Sequence, residues 1–168
     1  MISTYLAYLF SGLAVLFAIS TILQKNPVYS AASLIGVMVM LACNYVLLNA
    51  EFIAAIQIIV YVGAIMVLFV FVIMLLNLER AKREKLLISR RAVGVLLGLA
   101  LSLKLAMVGY ASKILIESGR LKIPEGMGST QVIGKYLFSN YLLPFEVASL
   151  VLLVGLIGAI VLGKREAS

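Results

Sequence analysis

Polar residues in this chain come in short clusters that separate long apolar runs. The first run is Ile2 to Leu23, closed by "QKNP" (Gln24 to Pro27), and the second is about Val28 to Leu48, closed by "NAE" (Asn49 to Glu51). A third extends roughly from Phe52 to Leu78, a fourth from about Ala92 to Ile116, and a fifth from near Pro144 to about Leu162. About 20 helical residues cross a hydrocarbon core roughly 30 Å thick, so each run reads as one membrane-spanning helix. Pro27 suits the first turn of the second helix, where its missing N–H costs little. The third run is long enough to tilt or to carry an irregularity. "ESGRLKIPEGMGSTQVIGKYLFSN", Glu117 to Asn140, is rich in turn residues and reads as the one long polar connection. The expected fold is therefore all-α, a polytopic membrane protein with five transmembrane helices in a single integral membrane domain over residues 1–168.

Composition agrees and narrows the chemistry. Of the 168 residues 64% are hydrophobic and 12% charged, against about 45–50% and about 25% in soluble domains, and the five spans leave no room for a separate soluble domain. There is no histidine and only one cysteine, Cys43, inside an apolar run. Haem ligation by paired imidazoles, thiolate iron–sulfur sites and His/Cys zinc sites lack their ligands, so any redox chemistry belongs to another subunit. Cys43 reads as a small buried apolar residue with no partner for an intrachain disulfide.

The net charge of +7 sorts by loop. "ERAKREKLLISRR", Glu79 to Arg91, holds six basic residues and two Glu. With five spans, this loop, the Lys25 loop and the C-terminal "GKREAS" share one side and carry nine basic residues. The other side carries three, Arg120, Lys122 and Lys135. The asymmetry places the N-terminus outside and the C-terminus in the cytoplasm, and it makes nucleic acid an unnecessary explanation of the charge. No basic residue precedes the first run, so it lacks the charged start of a secretory signal and is expected to be retained as a helix. "GVLLG" (Gly94 to Gly98) and "AIVLG" (Ala159 to Gly163) have the small-xxx-small spacing that lets helices approach closely, a packing hint only.

Polar groups inside spans are expensive and face protein or water. In the third span Gln57, Tyr61, Ala64 and Leu68 recur at helical spacing, so they share a face that is expected to turn inward. An interhelical hydrogen bond from Gln57 and aromatic packing of Tyr61 account for them in purely structural terms. Gly63 has two readings, close helix contact or a weak point amid β-branched residues where the ladder slips from i→i−4 to i→i−5. A single-turn π-bulge there rotates everything downstream by one residue's angle, roughly 100°.

Glu51 opens the third span and complements the helix dipole, while Glu146, two residues after Pro144, belongs to a helix-start signal; a proton-handling role stays open for both. Lys104 falls near the middle of the fourth span, where a lysine costs about 2.5–3.5 kcal/mol on insertion scales. It calls for a polar partner in another subunit, a water-filled cavity, or loss of its charge. Lys113 lies near the outer end and can snorkel. No nucleophile–base pair, phosphate loop or metal-ligand cluster is visible, which argues against catalysis by this chain alone.

"AEFIAAIQIIVYVGAIMVLFVFVIMLLN" resembles the third-helix signature of subunit J (chain 6) of the proton-translocating NADH:quinone oxidoreductase, respiratory complex I. "YLLPFEVASLVLLVGLIGAIVLGKRE" resembles that family's last helix, and the first two spans fit it in length and in the "NPVYSAASL" junction. The likeness covers about three quarters of the chain; the fourth span and the outer loop carry little signal, and Lys104 belongs to no family pattern. It implies a five-helix, multi-pass subunit of the cytoplasmic (inner) membrane, with the lipid bilayer, the quinone-site subunit and the small K-type subunit as neighbours. It implies no cofactor in this chain, with NADH, FMN, iron–sulfur clusters and quinone in other subunits of the complex. It also implies a π-bulge around Tyr61 and Gly63 that converts between π and α forms and so opens or closes a hydrated proton route. The coupling positions are then Gln57, Tyr61, Val62, Gly63 and Met66, with Glu51, Lys104 and Glu146 as polar or proton-path candidates. Rival readings are the equivalent subunit of a membrane-bound hydrogenase or a cation/proton antiporter complex, a small transporter acting alone, and a purely structural membrane subunit.

Overall fold

Asn26 and Pro27 make the first reversal of the chain. The Asn26 side chain accepts a 2.9 Å hydrogen bond from the Val28 N–H, and Pro27 occupies the first helical position, where its ring fixes φ and no ladder bond is lost. This cap joins α1 (Ile2–Leu23) to α2 (Pro27–Leu47) in an antiparallel pair. The computed structural model describes residues 2–76, 88–118, 126 and 128–164. Small residues bring α1 and α2 together: Ala14, Ala31 and Ala42 are buried, and the Phe17 ring lies over Gly36 so closely that a Cβ there would sit 2.8–3.0 Å from it. Hydroxyls close the same seam, with Ser20 and Ser33 3.1 Å apart and Ser30 donating to the Thr21 carbonyl at 2.6 Å. Without a hydrophobic force between helices in lipid, such close approach and side-chain hydrogen bonds supply the association.

α2 ends in a Schellman turn. Asn49 takes φ 56°, the left-handed conformation that asparagine tolerates better than most residues. The Ala50 N–H then reaches the Tyr45 carbonyl at 2.9 Å and the Asn49 N–H reaches Val46 at 3.0 Å. The turn launches the third span, which runs from Glu51 to Leu75 as α3 (Glu51–Ile56), a π-helical segment π1 (Gln57–Met66) and α4 (Val67–Leu75). All three pieces pack on α2.

Several bounds differ from the sequence expectation, and the third span's helix ends at Leu75 rather than Leu78. The fourth helix, α5 (Ile88–Glu117), begins four residues earlier than Ala92, because hydropathy marks where the membrane ends rather than where the backbone ladder ends. The long connection is not wholly irregular, since α6 (Thr130–Ser139) forms within it. The last helix, α7 (Leu142–Gly163), starts two residues before Pro144. Pro144 is then the third helical residue, and the first ladder bond comes immediately after it, from the Phe145 N–H to the Tyr141 carbonyl at 3.0 Å. Residues 77–87, most of the expected basic loop, and residues 119–125 lie outside the described residues, as does the tail beyond Lys164.

The result is all-helical among the described residues, with five helices long and apolar enough to cross a membrane. The core sits between α1, α2 and the third span. α7 packs on α6, where Phe138 and Phe145 meet edge to face at 5.2 Å. On α5 every side chain from Gly94 to Ile114 is exposed.

Candidate functional site: the π segment of the third span

Residues 57–66, "QIIVYVGAIM", combine five β-branched residues with one glycine. β-Branched side chains crowd the preceding turn and Gly63 adds backbone freedom, so the α ladder is weakest here on local grounds. The backbone widens into a π-helix of ten residues, starting at Gln57 and longer than the single turn expected around Gly63.

The register of the side chains carries the consequence. Ala54 and Gln57 face inward, and after them the least exposed positions are Val62, Met66, Val70 and Ile73. The step from Gln57 to Val62 is five residues, where an uninterrupted α-helix takes three or four. A plain α-helix continuing from Ala54 and Gln57 would bring Tyr61, Ile65, Phe69 and Val72 inward. Each of these is displaced by one residue, and they are instead 46%, 45%, 43% and 42% exposed. The four-residue stripe read from the sequence is thereby corrected. Gln57 does turn inward, but Tyr61, Ala64 and Leu68 face outward, because the π segment rotates the residues beyond Gln57 by one residue's angle, roughly 100°.

Gln57 is 8% exposed, and its Nε2 donates to the Met38 sulfur on α2 at 2.9 Å. This bond anchors the upstream end of the slip, while Met66, 9% exposed, is the first fully inward residue beyond it. Val62 is half-buried between them. Gly63 is on the outward face, and a Cβ built on it would meet only the Ile58 carbonyl, five residues back, at 3.4 Å. Among the described residues no other helix is in close contact with Gly63.

Glu51 is the first residue of α3 and is exposed, the position where a carboxylate complements the helix dipole. Glu146 lies on α7 and Lys104 on α5, both exposed. The structure brings Gln57, Val62 and Met66 onto one face, but it does not gather Glu51, Lys104 and Glu146 into one cluster. Among the described residues no three His, Cys, Asp or Glu side chains meet in a way that could hold a metal ion. Cys43 is half-buried on α2. Sequence reasoning missed Met38, whose weak acceptor gives no polar signal, and the Ser11–Asn44 pair between α1 and α2 at 3.3 Å. Asn44 inside an apolar run was a legible cue to the latter.

Comparison with known proteins places the chain in a family. Residues 4–162 match the family described as NADH-ubiquinone/plastoquinone oxidoreductase chain 6. The chain is 40% identical over 162 residues to NADH-quinone oxidoreductase subunit J of Rhodobacter capsulatus, covering 95% of this chain and 80% of that protein. It is 42% identical over 156 residues to NAD(P)H-quinone oxidoreductase chain 6 of Leptolyngbya boryana, covering 89% and 73%. To NAD(P)H-quinone oxidoreductase subunit 6 of the Paulinella chromatophora chromatophore it is 42% identical over 160 residues, covering 93% and 75%. With five membrane-length helices, a match over nearly its whole length and relatives of this identity, the chain is a multi-pass membrane protein that belongs to the NADH-ubiquinone/plastoquinone oxidoreductase chain 6 family.

Proposed function

We propose that this chain is a membrane-arm subunit of an NADH:quinone oxidoreductase and that its third span helps couple quinone reduction to proton translocation. The observation that carries the reading is the π segment, with its one-residue shift of the inward face between Gln57 and Met66. A helix holding one surplus residue has two arrangements: π, with Val62, Met66, Val70 and Ile73 inward, and α, with Tyr61, Ile65, Phe69 and Val72 inward. Exchanging a phenol for aliphatic side chains at the helix interface changes whether water is excluded there, the kind of local two-state element on which switching depends.

In this reading Gln57, Tyr61, Val62, Gly63 and Met66 form the switch, and Glu51 and Glu146 sit at span entrances where protons can be exchanged with water. The whole chain acts as one integral membrane domain in the cytoplasmic (inner) membrane, N-terminus outside. The quinone-site subunit and the small K-type subunit are its neighbours, and NADH, FMN, iron–sulfur clusters and quinone are held by other subunits. The names of the relatives, all NADH- or NAD(P)H-quinone oxidoreductases, support this reading over a hydrogenase or an antiporter complex. Gly63→Leu tests it. A Cβ there makes only ordinary contact with the Ile58 carbonyl among the described residues, but replacing glycine, about 0.8–1.0 kcal/mol worse than alanine in a helix interior, by the good helix former leucine stiffens the ladder at its weak point. Proton translocation should fall more than the amount of assembled complex; assembly with normal pumping would exclude a switch at this position.

A further inference from the structure

Lys104 is the residue of the membrane spans that nothing in the proposed coupling uses. The apolar part of α5 is Gly94–Ile114, and Lys104 is its central residue, ten positions or about 15 Å from either end. A four-carbon lysine stem covers well under half of that distance, so the ammonium cannot snorkel to the interface as it can from the end of a span. The two serine hydroxyls of this span are satisfied by their own backbone: Ser102 donates to the Gly98 carbonyl and Ser112 to the Gly109 carbonyl, each at 2.9 Å. Lys104 is exposed and pairs with no described residue.

The chain itself has no acid at this depth. Its seven acidic residues are all Glu, at positions 51, 79, 84, 117, 125, 146 and 166. Glu51 is the end residue of the third span, and Glu146 lies four residues from the start of α7, about 10 Å short of that helix's midpoint. Around Lys104, Leu97, Ala100, Leu101, Met107, Val108 and Ala111 share its face of α5 by helical spacing and all are exposed. Gly98 and Ser102 lie on the far side of α5 from Lys104 by helical spacing, and a Cβ on Gly98 would meet nothing within 4 Å.

We infer that the Lys104 face of α5 docks against a transmembrane helix of another membrane subunit, one that carries an aspartate or glutamate at mid-membrane depth. Charge complementarity selects this occupant. Lipid headgroups do not reach a point about 15 Å below the interface, and a neutral polar side chain would accept a hydrogen bond without compensating the ammonium's charge. A carboxylate does both, and charge-assisted hydrogen bonds are roughly twice as strong as neutral ones. The inference rests on the chain's being one subunit of a larger membrane complex.

Photo-crosslinking from the same face, with Lys104 left intact, tests it. Benzoylphenylalanine is placed at Leu101 or at Val108, one turn to either side, and cross-linked in native membranes before solubilisation. Both positions should join one helix of another subunit, at sites bracketing an Asp or Glu within a turn. Cross-links only to lipid, or to a helix with no acid between the two sites, overturn the inference. Lys104→Glu should lower the assembled complex several-fold, and changing the bracketed acid to lysine in the partner should restore it. Wild-type assembly of Lys104→Glu also overturns the inference. If the chain co-purifies with flavin and iron–sulfur subunits but these results fail, this inference alone is wrong; if it co-purifies with none, the proposed function is wrong.

Discussion

Removing Gly63 altogether separates a switching third span from a static one. In the structure the inward positions run 54, 57, 62, 66, 70 and 73, one residue late after Gln57. Deleting one residue within π1 subtracts about 1.5 Å and roughly 100°, so a continuous α-helix then keeps Ala54 and Gln57 inward together with the present Val62, Met66, Val70 and Ile73. The deletion thus preserves both packing faces while removing the surplus residue that makes a second arrangement available. In the native chain, conversion from π to α swings a side-chain tip such as that of Met66 through about 8 Å, the chord of a 100° turn on a helix 10–12 Å across.

The energy of that swing is small for a physical reason. Lipid tails are as apolar as the residues being turned out, so the hydrophobic term nearly cancels and packing decides. A side chain that forfeits around ten close atom pairs loses about 1–2 kcal/mol at 0.1–0.2 kcal/mol each, which leaves both forms within reach of a modest driving force. The assay is proton translocation in sealed inverted vesicles, normalised to the amount of complex through electron transfer from NADH to a hydrophilic artificial acceptor. The deletion variant should assemble in near-normal amounts and translocate protons several-fold more slowly. Wild-type proton translocation per assembled complex would refute the reasoning, because a span without the surplus residue has nothing to switch.

Packing sets three further outcomes. Gly36→Ala puts a methyl group 2.8–3.0 Å from the Phe17 ring and should cost about 1–3 kcal/mol as overpacking, read as a lower melting temperature of the purified complex. A Cβ on Gly128 would run into the Asn49 carbonyl and lie 2.9 Å from the Ala50 Cα, so Gly128→Ala should lift the segment before α6 off the α2–α3 turn and speed proteolysis of residues 117–140 in vesicles that expose them. Gln57→Leu removes the bond to the Met38 sulfur; interhelical hydrogen bonds in membranes average about 0.6 kcal/mol. Its stability loss should be below about 1 kcal/mol, and Met38→Leu in the same background should add almost nothing.

The five spans, Pro27 in the first turn of the second helix and the weakness of the ladder near Gly63 were legible because each depends on composition or on residues next to one another. What was not legible depends on accumulated geometry. The inward stripe was projected with a constant α-helical repeat, so Gln57 was placed correctly and Tyr61, beyond the slip, was not. Ten residues of π-helix are a departure that no single residue announces, since Gln57 at its start is an ordinary helical residue by composition. α6 escaped notice because a ten-residue helix containing Gly134 and flanked by Gly128, Asn140 and serines carries the same turn chemistry as a loop. α5 begins before its apolar run because Ile88 to Arg91 extends the ladder through polar residues. The seam between α1 and α2 was spelled in Ala14, Ala31, Gly36 and the serines, but pairing them required knowing which faces meet.

The central claim is that the third span has two registers. Its most direct test is electron cryomicroscopy of the assembled complex, trapped once at rest and once during turnover, at a resolution that places the side chains between Gln57 and Ile73. The account predicts that in one of the two states Met66, Val70 and Ile73 have rotated by roughly 100° relative to Gln57, with Tyr61 turned inward in their place. An unchanged π segment in both states, with Val62 and Met66 inward throughout, would contradict it.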